Sequence, residues 1–524
     1  MSAKRRTMVA TALAVLIAVD ARGYKWDQRD AMIALADGRG ADAHARVDAY
    51  LAEHPNDPEA LYTLVAVQVA SGATEDALAT VARAVDAGLP ISRFVVGPRE
   101  WFRPLMEHPE FRALAEPRAS SLLHGPMLGS VTDGSARIWV RTAREQTVSV
   151  EWRPLTSDES SSQTASAATS ADRDYTARVD VQGLAANTTY AYSVSVDGEF
   201  AGGPWTFRTF PPTGQPSLFT VVFGGGGGYT PENERVWNTI ASHGPSAFLL
   251  LGDNVYIDVP RHPAVQRAFY YRRQARPEFR NFTARSAIYA IWDDHDFITN
   301  DKWGGPEINE PAWKVPVWNV FRENWVNPGY GFGGERPGCW FTFWIGDVRV
   351  IMLDGRYYRT DPNAADPTML GPEQKAWLFE TLTASDAAFT VLASPVPWAR
   401  GTKPGSKDTW DGYPQERAEI LGFLSDQKVP GVVLLSADRH RSDVWTIPRD
   451  GDYTLYEFES SKLTNLHTHR PMQGAAFSYN EKCSFGMLDF DTTLDDPTVT
   501  YRIVSIDNEP IHRLALRRSQ LQRQ

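Results

Sequence analysis

The sequence predicts a multidomain protein: an α-helical N-terminal region, an antiparallel β-sandwich, and a larger C-terminal α/β unit. Three observations lead there. The chain has 524 residues, more than one hydrophobic core ordinarily serves. Its apolar pattern changes twice, from helical spacing to strict alternation, and then to short continuous runs separated by helical stretches. Acidic residues recur just after those last apolar runs, where α/β folds gather their ligands.

Composition sets the outer bounds. Hydrophobic residues at 42% and charged residues at 22% describe a globular protein, neither disordered nor a multi-span membrane protein. A formal net charge of −11 leaves no nucleic acid-binding surface evident. Cys339 and Cys483 are the only cysteines, so no disulfide framework holds the fold. They either pair in an oxidising compartment or remain buried thiols. Most of the 17 tryptophans are expected to fill cores.

Residues 1–21 read as a targeting segment. Lys4, Arg5 and Arg6 precede the apolar "TMVATALAVLIAV", and "VDA" ending at Ala21 offers a small-residue cleavage site. The run is short for a membrane span, so an uncleaved N-terminus is the single expected route to a membrane. "KRRTMV" also loosely fits a twin-arginine signal. A periplasmic or secreted protein is expected.

Residues 27–117 are Ala-rich and helical. "ARVDAYLAEHPNDPEALYTLVAVQVASGATEDALATVARAVDAGLP" places apolar residues at helical spacing, with a break at Pro55–Pro58 and "SG" between two helices. It resembles a tetratricopeptide-type (TPR-like) repeat, with a degenerate copy ending in "WFRPLMEHPEFRALAE". Such repeats bind protein partners or serve as packing spacers, and both readings stay open. In residues 121–212, "GSARIWVRT", "TVSVEWRP", "YTARVDV" and "TYAYSVSVDG" alternate as half-buried strands do. "GLAANTTYAYSVSVDG" followed by "TFRTFPP" resembles the end of a fibronectin III or immunoglobulin-like sandwich. "TSDESSSQTASAATSAD" is expected to be an exposed low-complexity loop.

Residues 217–515 carry the chemistry. "LFTVVFGGGG", "AFLLLGDN", "AIYAIWDDHD", "VRVIMLDGRYY", "AFTVLASPV" and "VVLLSADRH" are near-continuous apolar strands ending in Gly or acidic residues, as strands buried on both faces do. Asp253 and Tyr256, then Asp293, Asp294, His295 and Asp296, then Asp354 and Arg356, then Asp438 and His440 follow four of these strands. Carboxylates gathered in one place raise one another's pKa unless a cation sits among them, which points to a metal site. Tyrosine as a phenolate favours a strongly acidic ion such as ferric iron. Singly, Asp294 reads as a helix cap, Tyr256 as core and His440 as a buried histidine. Recurrence at four strand ends favours a site. The run Gly224–Gly228 either cradles phosphate with its amides or relieves crowding.

In their order, "GDNVY", "WDDHD", "LDGRYYR", "WDGY", "SADRH" and "YEFESSKLTN" resemble the signatures of the alkaline phosphatase D (PhoD-like) family of metallophosphoesterases, over roughly residues 217–515. The resemblance implies an α/β metallophosphoesterase β-sandwich flanked by helices. It also implies a hydrolase of phosphate mono- or diesters that works through a metal-activated hydroxide. Carried over by position, Asp253 bridges two metals, Tyr256 binds the iron, and Asp294, Asp438 and His440 are further ligands. Asn300, Asp293 and Asp296 are candidates for a calcium site or its surroundings. His295 faces the phosphate as a catalytic acid. Arg356 is either a phosphate clamp or a structural salt bridge. The implied ions are Fe(III) and Ca(II), other divalent metals not being excluded. One departure matters: the family's cysteine ligand after the first strand is absent, and the chain reads "FGGGGGYT". That loss supports a second reading, a catalytically impaired envelope protein that binds partners through its helices and sandwich.

Overall fold

The computed structural model describes residues 25–523 apart from 119, 157–160, 333, 335 and 385. The targeting segment expected at 1–21 lies outside the described residues. The Ala-rich region folds into the helices Lys25–Ala36, Gly40–Glu53, Pro58–Ala70 and Thr74–Asp86, followed by three short ones up to Ala115. The break at Pro55–Pro58 becomes a helix start. Asp57 accepts the Ala60 amide at 2.8 Å, and Pro58 occupies the first turn, where no amide is needed. The helix Pro58–Ala70 is nearly all buried, and its Glu59 forms a two-pronged buried ion pair with Arg93 (2.6 and 2.9 Å).

The second region is a two-sheet antiparallel sandwich. Leu122–Gly129, Ser135–Thr142 and Thr176–Gln182 form one sheet; Gln163–Ala168, Thr147–Pro154, Thr189–Val196 and Glu199–Arg208 form the other. Val148, Val150 and Trp152 point inward and Thr147 and Glu151 outward, as alternation requires. The low-complexity stretch departs from expectation. Its later part, Gln163–Ala168, is an edge strand paired with Thr147–Trp152. Ala165 and Ala167 turn a half-buried side to the core. Side chains this small give almost no hydrophobic alternation to read.

The C-terminal unit stacks two mixed sheets. In the first, Leu218–Gly224, Ala247–Leu251 and Ala287–Ile291 run parallel. In the second, Val348–Met352, Phe389–Ala393, Val432–Ser436 and Leu455–Ser460 do. Every residue of Ala247–Leu251, Ala287–Ile291, Phe389–Ala393 and Val432–Ser436 is buried. Each Leu, Ile or Val there contributes roughly 1.5–3 kcal/mol of burial, which fixes where each strand stops and its polar turn begins.

Polar joints tie the three parts together. Trp139 of the sandwich donates to the Glu323 carbonyl at 2.9 Å. Arg141 reaches Gln274 (2.6 Å) and Asn324 (2.9 Å) of the C-terminal unit. The first helix, Lys25–Ala36, packs against the helix Pro263–Gln274, and its Arg29 pairs with Asp258.

Candidate metal centre

The strand ends meet through strained turns. After Leu251 the chain turns sharply at Gly252 (φ 105°), where a β-carbon would lie 2.5 Å from that of Asp293. Asp253, Tyr256 and Asp258 then adopt left-handed backbone (φ 54°, 51° and 58°), as do Asp301, Asp438 and His440 (59°, 73° and 50°). Such conformations cost on the order of 1–3 kcal/mol each and persist where the surroundings enforce them. Here Asp296 accepts the amides of Asn254 (2.8 Å) and Val255 (3.1 Å). The His295 carbonyl accepts those of Ile257 (2.7 Å) and Asp258 (3.0 Å).

Ligand atoms of Asp253, Asp294 and His295 lie within 4.8 Å of one another. The Tyr256 hydroxyl is 2.7 Å from His440 Nε2, which is 4.0 Å from Asp253 Oδ2. Five of the residues expected from the sequence therefore converge. Asp253 is 1% exposed, and neither of its carboxylate oxygens meets a hydrogen-bond donor in bonding geometry. Burial pushes its carboxyl well above the usual range; His295 opposes this, and Asp294, Asp293 and Asp296 add to it. Burial and Asp253 likewise hold the Tyr256 phenol high. A buried carboxylate crowded by others is satisfied by a cation. Carboxylates, a phenol and an imidazole are all metal-ligating groups, so the residues present fit a metal centre.

Asp438 is buried beside Lys403 Nζ (3.5 Å) and Arg439 (3.4 Å). Burial disfavours its charge, but these cations outweigh it and lower the carboxyl's pKa. Asp294 also gathers with Asp301 and Asp408, and Lys403 Nζ bridges Asp301 (2.7 Å) and Asp408 (2.9 Å). Asp408 and Lys403 escaped the sequence reading, although Asp408 lies two residues before the quoted "WDGY". Asn300 is exposed in the turn after the short helix Asp294–Phe297. Its neighbour Asp301, rather than Asn300, joins a carboxylate group.

His295 is held from behind. Its Nδ1 bonds Asp258 Oδ1, and the other oxygen of Asp258 bonds Arg29 from the N-terminal helix. The ring stacks on Tyr256, centroids 4.5 Å apart. Burial works against its charge, but Asp294, Asp253 and Asp258 together raise its pKa to about 10.

Arg356 takes the salt-bridge alternative and not the phosphate clamp. Its side chain is fully buried. Nε bonds Asp293, and the two terminal nitrogens reach Asp408 at 2.7 and 3.2 Å. A guanidinium so engaged has no donor turned to an ester. Asp354 is structural as well, accepting Trp292 Nε1 (2.8 Å) and the amides of Arg356, Tyr357 and Cys339. Both cysteines are buried free thiols.

The glycine turn reads as close packing. Gly225 donates to the Ser460 carbonyl (2.9 Å) and Gly227 to the Asp253 carbonyl (2.7 Å), so these amides are already engaged. At Gly226 (φ 69°) a β-carbon would lie 2.0 Å from the Ser461 carbonyl oxygen. No cysteine fits there. The Asn465 side chain stands against Gly228 instead.

Comparison with known proteins adds three regional matches. The PhoD-like phosphatase family model matches residues 221–484. A domain of unknown function (DUF7800) matches 119–213, and a tetratricopeptide repeat matches 34–89. Alkaline phosphatase D of Bacillus subtilis (strain 168) is 36% identical over a segment covering 17% of this chain and 19% of that protein. The solved structure of PhoD superposes with a TM-score of 0.59 at 18% identity, covering 74% of this chain and 91% of that one. Purple acid phosphatase PPD1 from yellow lupin (Lupinus luteus) seeds gives 0.55 at 12% identity, covering 76% and 75%. At these identities the two structures share the fold.

Proposed function

Since the chain belongs to the PhoD-like phosphatase family, we propose that it is a metal-dependent phosphoesterase whose centre is built on Asp253. The observation that carries this reading is the Asp253 carboxylate, buried among Asp293, Asp294 and Asp296 and pushed by that burial well above the usual range. Fe(III) would be held by Asp253, Tyr256 and His440, and Ca(II) by Asp253, Asp294 and Asp438. When bound, the ions supply an acidified water as nucleophile and neutralise the ester's charge.

The chain's own side chains do the rest. His295, positioned by Asp258, hydrogen-bonds a phosphoryl oxygen and gives its proton to the departing alcohol oxygen. Lys403 keeps Asp301 and Asp408 in place. Arg356 keeps Asp293 and Asp408 in place. The substrate is a phosphate ester, mono- or diester. Export through residues 1–21 belongs to this reading, and no helix among the described residues is long and apolar enough to cross a membrane. The sandwich's three- and four-stranded sheets support a fibronectin III-like reading, and the helical repeats remain candidates for a protein partner.

The cysteine missing from the Gly224–Gly228 turn favours the second reading, an impaired binding protein, by removing one expected ligand. Hydrolysis of p-nitrophenyl phosphate and its bis ester decides between them. Turnover of either, lost in His295→Ala, supports the enzyme, and the ester ratio identifies its class. A folded, metal-loaded protein inert towards both esters supports the binding protein.

A further inference from the structure

We propose that His440, His467 and His469 form a nitrogen-donor position for a zinc-class ion beside the carboxylate centre. The three rings stand 4.9 Å (His440–His467), 4.7 Å (His467–His469) and 5.5 Å (His440–His469) apart, centroid to centroid. Three imidazoles on one tetrahedral ion, each nitrogen about 2.0–2.1 Å from it, have ring centres about 5 Å apart. One ligand atom from each of the three lies within 4.8 Å of the others, so small side-chain rotations close the set.

A second observation is independent of the spacing. His440 is 6% exposed and uses Nε2 on the Tyr256 hydroxyl, while its buried Nδ1 has no partner. Buried ring nitrogens are rarely left so. A neutral imidazole offers one lone pair, so His440 ligates here through Nδ1 while Nε2 keeps its proton and donates to the Tyr256 hydroxyl.

The segment that brings the other two rings is held in place. The His467 amide donates to Asn465 Oδ1 (3.0 Å), and Thr468 Oγ donates to the His440 carbonyl (3.1 Å). Asn480 donates to the His469 carbonyl at 2.9 Å. His467 is exposed and His469 half-buried, which leaves an entry path and room for a water as fourth ligand. Neutral nitrogen donors select zinc or its neighbours over calcium, which takes oxygen ligands.

The proposal rests on the phosphoesterase reading only through His440, and the two fail separately. The test uses the full chain, stripped of metal and titrated with Zn²⁺ and with Co²⁺, comparing wild type, the double variant His467→Gln/His469→Gln, and Asp253→Asn. Circular dichroism checks that each is folded. The expected result is one zinc equivalent, with tetrahedral cobalt absorption, that persists in Asp253→Asn and is lost or weakened more than tenfold in the double variant. Unchanged zinc stoichiometry and affinity in the double variant would overturn the proposal. So would loss of the cobalt bands in Asp253→Asn, since the position would then not be formed by the histidines. Absent ester hydrolysis with the zinc equivalent retained would count against the enzyme reading alone.

Discussion

Arg29 lies 229 positions before Asp258, on a helix of the N-terminal region, yet it reaches this carboxylate that holds His295. Arg29→Ala removes one partner of a buried ion pair whose side chains are 5% and 7% exposed. A hydrogen bond to a charged group is worth about 1.5–3 kcal/mol, and stripping one member of a buried pair costs about 3–5 kcal/mol. Asp258 keeps its bond to His295, so the lower range, about 2–3 kcal/mol, is expected from thermal melts. The catalytic effect follows from position: an imidazole free to swing by about 1 Å loses up to 100-fold in rate. Steady-state kinetics on a p-nitrophenyl ester should show kcat falling about tenfold or more with KM little changed. Arg29→Lys should recover part of the loss. A variant that melts earlier but keeps kcat and its pH profile within about twofold would refute the positioning argument and leave Arg29 a docking contact only.

Other consequences follow from the same geometry. In metal-free protein His295 should titrate near 10 by NMR, because Asp294 and Asp253 outweigh burial. Its contribution to stability is full below the unfolded value and is lost as pH rises through about 10. Added cations at those carboxylates should move the titration down towards the ordinary range, and no movement would count against shared ligands. Burial and then Arg141 hold His124 neutral, well below the usual histidine range. Stability should therefore fall as pH drops below 6.5, where the unfolded chain takes up a proton, and His124→Gln should flatten that slope in denaturant titrations. Gly226→Cys, which places a thiol in the glycine turn, should lower stability by roughly 1–3 kcal/mol from backbone strain alone. The clash with the Ser461 carbonyl adds to that, and the variant should bind no additional metal.

The parts of the fold that rest on continuous burial were readable. Runs such as "AFLLL" and "VVLLS" are strands because they are apolar on both faces, and the polar residue after each one is a site residue because the sheets bring those ends together. Asp253, Tyr256, Asp294, His295 and His440 were legible for that reason. Arg356 was not, since residue type does not tell whether a guanidinium faces solvent or two buried carboxylates. Lys403 and Asp408 come from loops whose course is set by tertiary packing. Asp258 lies two residues past Tyr256 in an apolar context, and only its bond to His295 marks it. Arg29 owes its role to docking between distant segments, which no local pattern carries. The edge strand Gln163–Ala168 was hidden by small residues, and the Gly226 turn by contacts with Ser461, far along the chain.

The central claim is that Asp253 organises a metal centre, and metal content tests it most directly. Purified wild type and Asp253→Ala, both confirmed as folded, would be measured for iron and calcium per chain by mass spectrometry. The account predicts stoichiometric hard-metal content in wild type and its loss in the variant. Equal metal in both, or a folded wild type that takes up neither iron nor calcium, would contradict it.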